Sequence, residues 1–299
     1  MAQLTRQQVE RHIELHGSTL TLEGANLSGL DLSNLNLYGA NLYKANLYRT
    51  NLAGADLRAA NLERASAVEA NLSQANLTAA NLKETSFQGA VVRNTWLIGV
   101  DLCNADLRAA IFIESDLSST IDTESGTYLG WTDMTGVNAA RVNFSKSRLN
   151  GVQLSGANLQ KSILRMADFT QANFSSQADG PRTTLNSADL SSATLIRATL
   201  CGVDLRKANL RQANLTEANL QMLSKWHTDL SGANLAGANL HGANLQQVQY
   251  NAQTRWDTDF VPSMAGAVKK FSPLDFISIE DINKITAKLG KVRRDAEGG

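Results

Sequence analysis

An all-β solenoid is the fold this sequence predicts, on three observations: a period of five residues, one small and one large apolar slot in each period, and non-repetitive stretches at both ends. Leu, Ala and Asn crowd the 299 residues in a fixed order, while aromatic residues are 6% and prolines number three. That composition does not supply an ordinary core of mixed large side chains. It is the composition of a repeat protein.

The repeat begins near Leu20 and reads GANLS, GLDLS, NLNLY, GANLY, KANLY. With the Leu of each pentad as its centre, Leu27, Leu47 and Leu107 lie in a first run that ends at Leu117. A second run reads from Leu129 through Phe144 and Leu164 to Phe174. A third runs from Leu185 through Leu210, skips at Lys225, and continues from Leu230 to Tyr250. A period of five is neither the 3.6 of a helix face nor the 2 of a flat strand. The chain must turn about once per pentad, so that stacked turns bury the Leu and Ala columns and pair their backbones between coils. Asn or Asp just before the centre, as at Asn26, Asp31, Asn41 and Asp56, hydrogen-bonds nearby backbone at a turn, so these residues read as scaffold.

Tandem A(N/D)LXX over roughly residues 20–250 resembles the pentapeptide-repeat family, in its cyanobacterial type. The resemblance implies a right-handed quadrilateral β-helix with four pentads per coil, hence about eleven coils from 44 centres. At the inter-strand spacing, such a tower stands on the order of 50 Å tall. The organisation expected is an N-terminal helical cap over 1–19 and the β-helix over 20–250, with register breaks near 118–127 and 175–184. A C-terminal capping segment with a short helix takes 251–299.

Both ends of a solenoid need covering, because an uncapped coil exposes an apolar column and unpaired edges. Thr5 and Gln8 have the spacing of a capping box, Val9 and Ile13 form an apolar stripe and Gly17 is placed for the stop, which predicts a helix over about 6–16. After Tyr250, the segment YNAQTRWDTDFVPSMAGAV resembles the closing stretch of many cyanobacterial family members, which makes Trp256 and Phe260 the plugs. Ser278 and Asp281 suit the start of a helix carrying Ile279, Ile282, Ile285 and Leu289, which stops at Gly290. That helix reads as further cap or as a homodimer contact.

Little in the chain points to catalysis. His12 and His16 are four apart without a third ligand, Cys103 and Cys201 follow centre leucines and should point outward, and neither a phosphate-binding nor a dinucleotide-binding glycine loop is present. A solid Leu and Ala core offers no interior pocket. The expectation is a protein that is no enzyme, with no cofactor, metal or small-molecule substrate. Two lone cysteines, no run of eighteen apolar residues and a polar start predict neither disulfides, membrane contact nor a signal peptide, and hence a cytoplasmic location.

Charge then locates the surfaces a partner would use. Lys plus Arg and Asp plus Glu both number 28, but residues 1–136 carry a net −6, residues 137–225 a net +6, and the rest none. In the basic middle, Arg141, Lys146, Lys161 and Arg165 project from adjacent faces, which predicts docking of an acidic protein partner. The second break contributes Asp179, Gly180, Pro181 and Arg182, a turn with a single exposed guanidinium and a candidate recognition loop. The resemblance implies two further readings. One branch of the family mimics B-form DNA and binds DNA gyrase, which needs a strongly acidic surface that this neutral chain lacks. Another, in cyanobacteria, regulates by protein contact, and a scaffold of that kind is the reading favoured. Direct nucleic-acid binding is the third alternative, hinted at by Trp226 placed twenty residues above Arg206 and Lys207.

Overall fold

The computed structural model describes residues 3–121, 128–130, 132–176 and 179–270. A helix, α1 (Arg6–His16), opens the chain. Thr5 accepts from the Gln8 backbone while the Gln8 side chain accepts from the Thr5 N–H, completing the capping box, and Gly17 ends the helix with φ 49°. Val9 is fully buried and Ile13 packs half-buried on the core. Arg6 donates to the carbonyls of Asp31 and Ser33, so helix and first coil are joined by hydrogen bonds as well as by apolar contact.

Above α1, residues twenty apart form single parallel bridges: Asn41 with Asn61, Asn61 with Asn81, Asn46 with Ser66, Asn51 with Asn71, Asp56 with Asn76. Four pentads thus complete one coil. Side 1 of the tower is the column of Asn41, side 2 that of Asn46, side 3 that of Asn51 and side 4 that of Asp56. Because the chain bends every five residues, a side holds one bridged residue per coil and not a strand. Each centre donates its N–H upward, as Leu42 does to the Asn61 carbonyl at 2.7 Å, and each Asn donates downward, as Asn61 does to the Ala40 carbonyl at 3.0 Å. The Asn side chain serves two purposes: Asn51 Oδ1 accepts from the Ala53 N–H and from Asn71 Nδ2. The turn also places one residue of most pentads in the left-handed region, φ 57° at Lys44 for example, which explains the glycines that recur in that slot.

Within the tower Leu27, Leu47, Leu107, Phe144, Leu164, Leu210 and Leu230 are all fully buried. Phe112 and Phe144 pack with rings tilted by 43° and centroids 5.0 Å apart where two aromatic centres follow on one side. Where Thr or Ser replaces Ala in the small slot, its hydroxyl donates to a carbonyl, one coil down for Thr50 to Leu27 O and Thr85 to Leu62 O and within its own pentad for Ser162 to Leu159 O.

Three insertions interrupt the tower. The first separates Asp101 from its partner Asp133 and includes β1 (Thr120–Ile121) and β2 (Tyr128–Gly130), which pair antiparallel. Leu129 therefore belongs to a hairpin and is not a pentad centre; the coil resumes only at Met134, because one long excursion replaces the two displaced pentads expected. The second separates Asn158 from Thr184, and the third, at Lys225, separates Asp204 from Asp229. Each insertion returns through a buried threonine: Thr132, Thr183 and Thr228. A glycine of the coil below donates its N–H to the threonine hydroxyl, Gly99 to Thr132, Gly156 to Thr183 and Gly202 to Thr228. The hydroxyl in turn donates to a carbonyl, that of Leu200 for Thr228 at 2.8 Å.

Past the last full coil, Arg255 bridges Asn234 on side 3. Trp256 follows in the centre position, in T-shaped contact with Tyr250 and stacked on Phe260, and Trp256 and Phe260 both pack on the core. A 3-10 turn (Pro262–Ala265) leads to β4 (Val268–Lys269), parallel to β3 (Gln249–Tyr250) on side 2. Lys270 pairs with the buried Asp229 at 2.8 Å. The helix expected over 278–290, with its homodimer contact, lies outside the described residues. Among those described, no helix is long and apolar enough to cross a membrane.

Thr228→Val, which keeps the shape and deletes the hydroxyl, orphans the Gly202 N–H and leaves the Leu200 carbonyl only the Val203 N–H, and should cost about 1–3 kcal/mol in urea denaturation, with Thr228→Ser close to wild type. Burial alone would raise the Asp229 carboxyl, but hydrogen bonds from Lys270 and Ser231 prevail and hold it below the usual Asp value. Its stabilising effect is therefore complete above pH ~4 and is lost as pH falls through the lowered value. Exchange of the Val268 amide, which donates to Val248, should rise in that acid window and stay flat above it.

Candidate functional site

Two surface features answer to the sequence expectations: the basic middle of the tower, and the corner between sides 1 and 2 where two insertions leave.

In the basic middle the four cations separate into two kinds. Lys146 pairs with Glu114 at 3.2 Å, and Arg165 pairs with Asp189. Arg141 and Lys161 sit one above the other on side 2, both exposed, and make no ion pair among the described residues. Together with Arg108, Gln88 and Gln160 they line a surface groove of about 390 Å³. Arg108 holds Asp106 at 2.6 Å, so that pair is neutral and the groove owes its positive charge to Arg141 and Lys161. Some charges stacked one coil apart are of opposite sign, Arg49 with Glu69, Arg64 with Glu84 and Arg197 with Glu217, while the acids Asp101 and Asp133, and Asp204 and Asp229, are stacked as like charges. Two like charges at the inter-coil spacing repel, and at Arg141 and Lys161 a carboxylate from outside relieves that repulsion.

The corner between sides 1 and 2 differs from its expectation. Arg182 is no free exposed guanidinium: it lies half-buried and donates to the carbonyls of Gly202 at 2.9 Å, Val203 at 3.3 Å and His227. It also lies 5.4 Å from the Trp226 ring. From the lower insertion it spans one ordinary coil and grips the upper, a hairpin closed by Leu223 and Trp226. Asp179, at the exposed tip of the lower insertion, meets Lys225 of the upper at 3.9 Å. Gly180 lies beside it, and Pro181 rests on Gly156. Gly202 is forced to be glycine, with φ +73° and the Trp226 Cβ only 2.9 Å from where its own Cβ would stand. Trp226 thus covers Gly202 and not Arg206 and Lys207, because the third insertion adds a pentad to the register; Arg206 pairs instead with Asp204. The aromatic hint of nucleic-acid binding goes with that correction. Cys201 is also corrected: the packed insertions leave it buried, and burial pushes its thiol pKa up.

Asp101, Cys103 and Asp133 bring three ligand atoms within 4.8 Å of one another, a grouping hidden in the sequence because the first insertion brings 133 above 101. Desolvation, then the charges of Asp133 and Asp101, raise the Cys103 pKa, so the thiol stays protonated at neutral pH and is a weak nucleophile. His12 and His16 meet edge to face with ring centroids 6.1 Å apart.

Compared with known proteins, the chain matches the family of pentapeptide repeats, over residues 21–58, 55–94, 85–121, 125–160, 140–175, 183–221 and 226–249. No curated protein matches it. Among solved structures it is similar to HetL, a pentapeptide repeat protein involved in heterocyst differentiation regulation from the cyanobacterium Nostoc sp. strain PCC 7120, with 26% identity and a TM-score of 0.37 over 83% of this chain and 97% of that one. Similarity to Rfr23 of the cyanobacterium Cyanothece 51142 is 25% identity and TM-score 0.26, over 54% of this chain and 91% of the other. QnrB1, a plasmid-mediated fluoroquinolone resistance protein, matches at 17% identity and TM-score 0.41, over 70% of this chain and 93% of its own. At such TM-scores no surface detail carries across from any of the three.

Removing the Arg182 guanidinium leaves three carbonyls without their charged donor. Arg182→Ala should destabilise by on the order of 3 kcal/mol in urea denaturation and open both insertions to limited proteolysis. Arg182→Lys should recover only part of this, because one ammonium cannot span the same three acceptors.

Proposed function

Because the chain belongs to the pentapeptide-repeat family, we propose that it is a non-enzymatic scaffold acting by protein–protein contact, docking an acidic segment of its partner in the groove of Arg108, Arg141 and Lys161. The like-charge stack of Arg141 and Lys161 carries this reading. It is a pair of exposed cations with no carboxylate of the described chain to answer them, whereas Arg49 and Arg64 each meet a glutamate one coil away. Gln88 and Gln160 add neutral hydrogen-bonding groups along the same groove, which suits carboxylates and backbone of an extended segment.

The architecture we attach to this reading is a right-handed tower of about eleven coils over 20–250, with a helical cap over 1–19 and a closing segment over 251–299. Rim charges of this kind raise the association rate and make binding salt-dependent. The insertion corner is a weaker docking surface, because Arg182 is spent on the chain's own carbonyls and Lys225 faces Asp179. Neutral overall charge weighs against an acidic DNA mimic.

The test is affinity capture from lysate of the source cells at low and at moderate salt, with three proteins as bait. The intact chain and Lys225→Glu should retain the same acidic protein. The double variant Arg141→Glu, Lys161→Glu should lose it at least tenfold, with an unchanged thermal melt. Equal retention by the double variant refutes the groove, and capture of nucleic acid in place of protein refutes the protein partner.

A further inference from the structure

The two unanswered cations of the side-2 groove stand one above the other. Asn138 bridges Asn158, and three residues after each come Arg141 and Lys161, so the pair fills the same slot of successive coils, with α-carbons about 4.8 Å apart. Below them the floor is cut back to two methyl groups, since Ala109 and Ala140 join backbone to backbone at 3.1 Å and both line the groove. Arg108 spends Nε and Nη2 on Asp106 and keeps Nη1 without an acceptor among the described residues. Gln88 and Gln160 are exposed, with side-chain amides that have no partner there either. Among the described residues no carboxylate lines the groove.

Spacing and charge together point to one dianion and not to a row of carboxylates. Side chains on one face of an extended segment repeat about every 6.6–6.8 Å, so a segment running along the tower is out of step with cations one coil apart. A segment running across the tower brings a single carboxylate to both cations and leaves one positive charge unanswered. A phosphomonoester carries about −1.5 to −2 and presents three acceptor oxygens on one phosphorus, so one modified side chain answers both. The Arg141 guanidinium has the fork geometry that phosphate oxygens accept in pairs.

The adjoining side supplies a second contact. Ile163 follows Lys161 across the buried Ser162, is the first residue of side 3 at that height, and is 40% exposed. Met166, in the same pentad, is 60% exposed. Apolar side chains left in water beside the cations are surface that a peptide covers and an inorganic anion does not.

We infer that the acidic segment bound here is a phosphorylated one, with its phosphoserine or phosphothreonine between Arg108, Arg141 and Lys161 and an apolar neighbour resting on Ile163. This inference rests on the protein-contact reading above and narrows it: a phosphoryl-transfer reaction on the partner must precede docking, and removal of the phosphate releases it.

Three pools of heptapeptides, degenerate except for a central phosphoserine, glutamate or serine, test it on the immobilised full-length protein. The phosphoserine pool should be retained about tenfold better than the glutamate pool, with Leu, Ile or Val enriched within two positions of the phosphoserine. Inorganic phosphate at the same concentration should not displace it. The double variant Arg141→Gln, Lys161→Gln should lose the preference; glutamine already occupies this left-handed slot at Gln74 and Gln212, so the fold accepts it. Lys146→Gln, whose ammonium Glu114 already holds, should bind as the intact protein does. Ile163→Ser should lower retention about threefold and leave the preference for phosphate intact. Equal retention of the phosphoserine and glutamate pools overturns the phosphoryl group and leaves an acidic partner standing. A preference that survives the double substitution overturns the site, and displacement by inorganic phosphate at equal concentration assigns the groove to a free anion and overturns the peptide. Retention of no pool overturns the inference as well, and the lysate capture then decides separately whether the acidic partner stands.

Discussion

Backbone pairing between coils is the constraint on which the rest of this structure depends. A chain that bends every five residues cannot satisfy its N–H and C=O groups locally, so each must find a partner in the coil above or below, and a buried group that fails to do so costs heavily. The register of twenty follows, as in the Leu42 to Asn61 and Asn61 to Ala40 bonds. The sequence of each pentad serves that register: a centre to fill the interior, a small residue to let the opposite walls approach, and an Asn that ties its own turn to the coil beneath. An insertion is tolerated only if the chain comes back in phase. The threonines at 132, 183 and 228 mark that return, each hydroxyl joining two coils where the periodic backbone contacts have just been interrupted.

This explains which parts of the molecule were legible in the sequence. The core was legible, because Leu27 or Phe144 is placed by its phase within a run and needs no knowledge of what lies far away. The capping box of α1 was legible for the same reason, since Thr5 and Gln8 are close in the chain. What failed were inferences that cross an insertion. Leu129 fits the period by chance, although it belongs to a hairpin. A spacing of twenty sets Trp226 over Arg206, but the third insertion leaves the coil altogether and shifts the register. Cys201 has the phase of an outward residue, yet it is buried. The threonine before each return, in GWTDM, PRTTL and WHTDL, is the signal in the sequence for where the coil resumes.

The candidate site was half legible for a related reason. Composition located the basic section, but the identity of the unanswered cations depends on which acid stands one coil away. Lys146 meets Glu114 and Arg165 meets Asp189 only across insertions, whose lengths shift the partner away from twenty. Exposed ion pairs of this type contribute little stability singly. Their value lies in specificity, because a pair of opposite charges is neutral to an approaching protein, and unpaired cations such as Arg141 and Lys161 are charge that such a protein feels.

The two ends of the tower show that burying an apolar column and satisfying a backbone edge are separate tasks. α1 performs both below, since its own backbone is paired internally while Val9 and Ile13 cover the column and Arg6 reaches the Asp31 and Ser33 carbonyls. Above, Trp256 takes a centre position and stacks on Phe260, filling more volume than a leucine does, so the interior closes without another complete coil. An aromatic ring offers little to a row of amides, however. Among the described residues the upper edge is therefore paired where backbone passes over it, at Arg255, at Gly266 and at Val268. A solenoid built from identical pentads has no internal signal for where to stop; it ends where side chains too large to be overlaid meet a segment that brings its own hydrogen bonds.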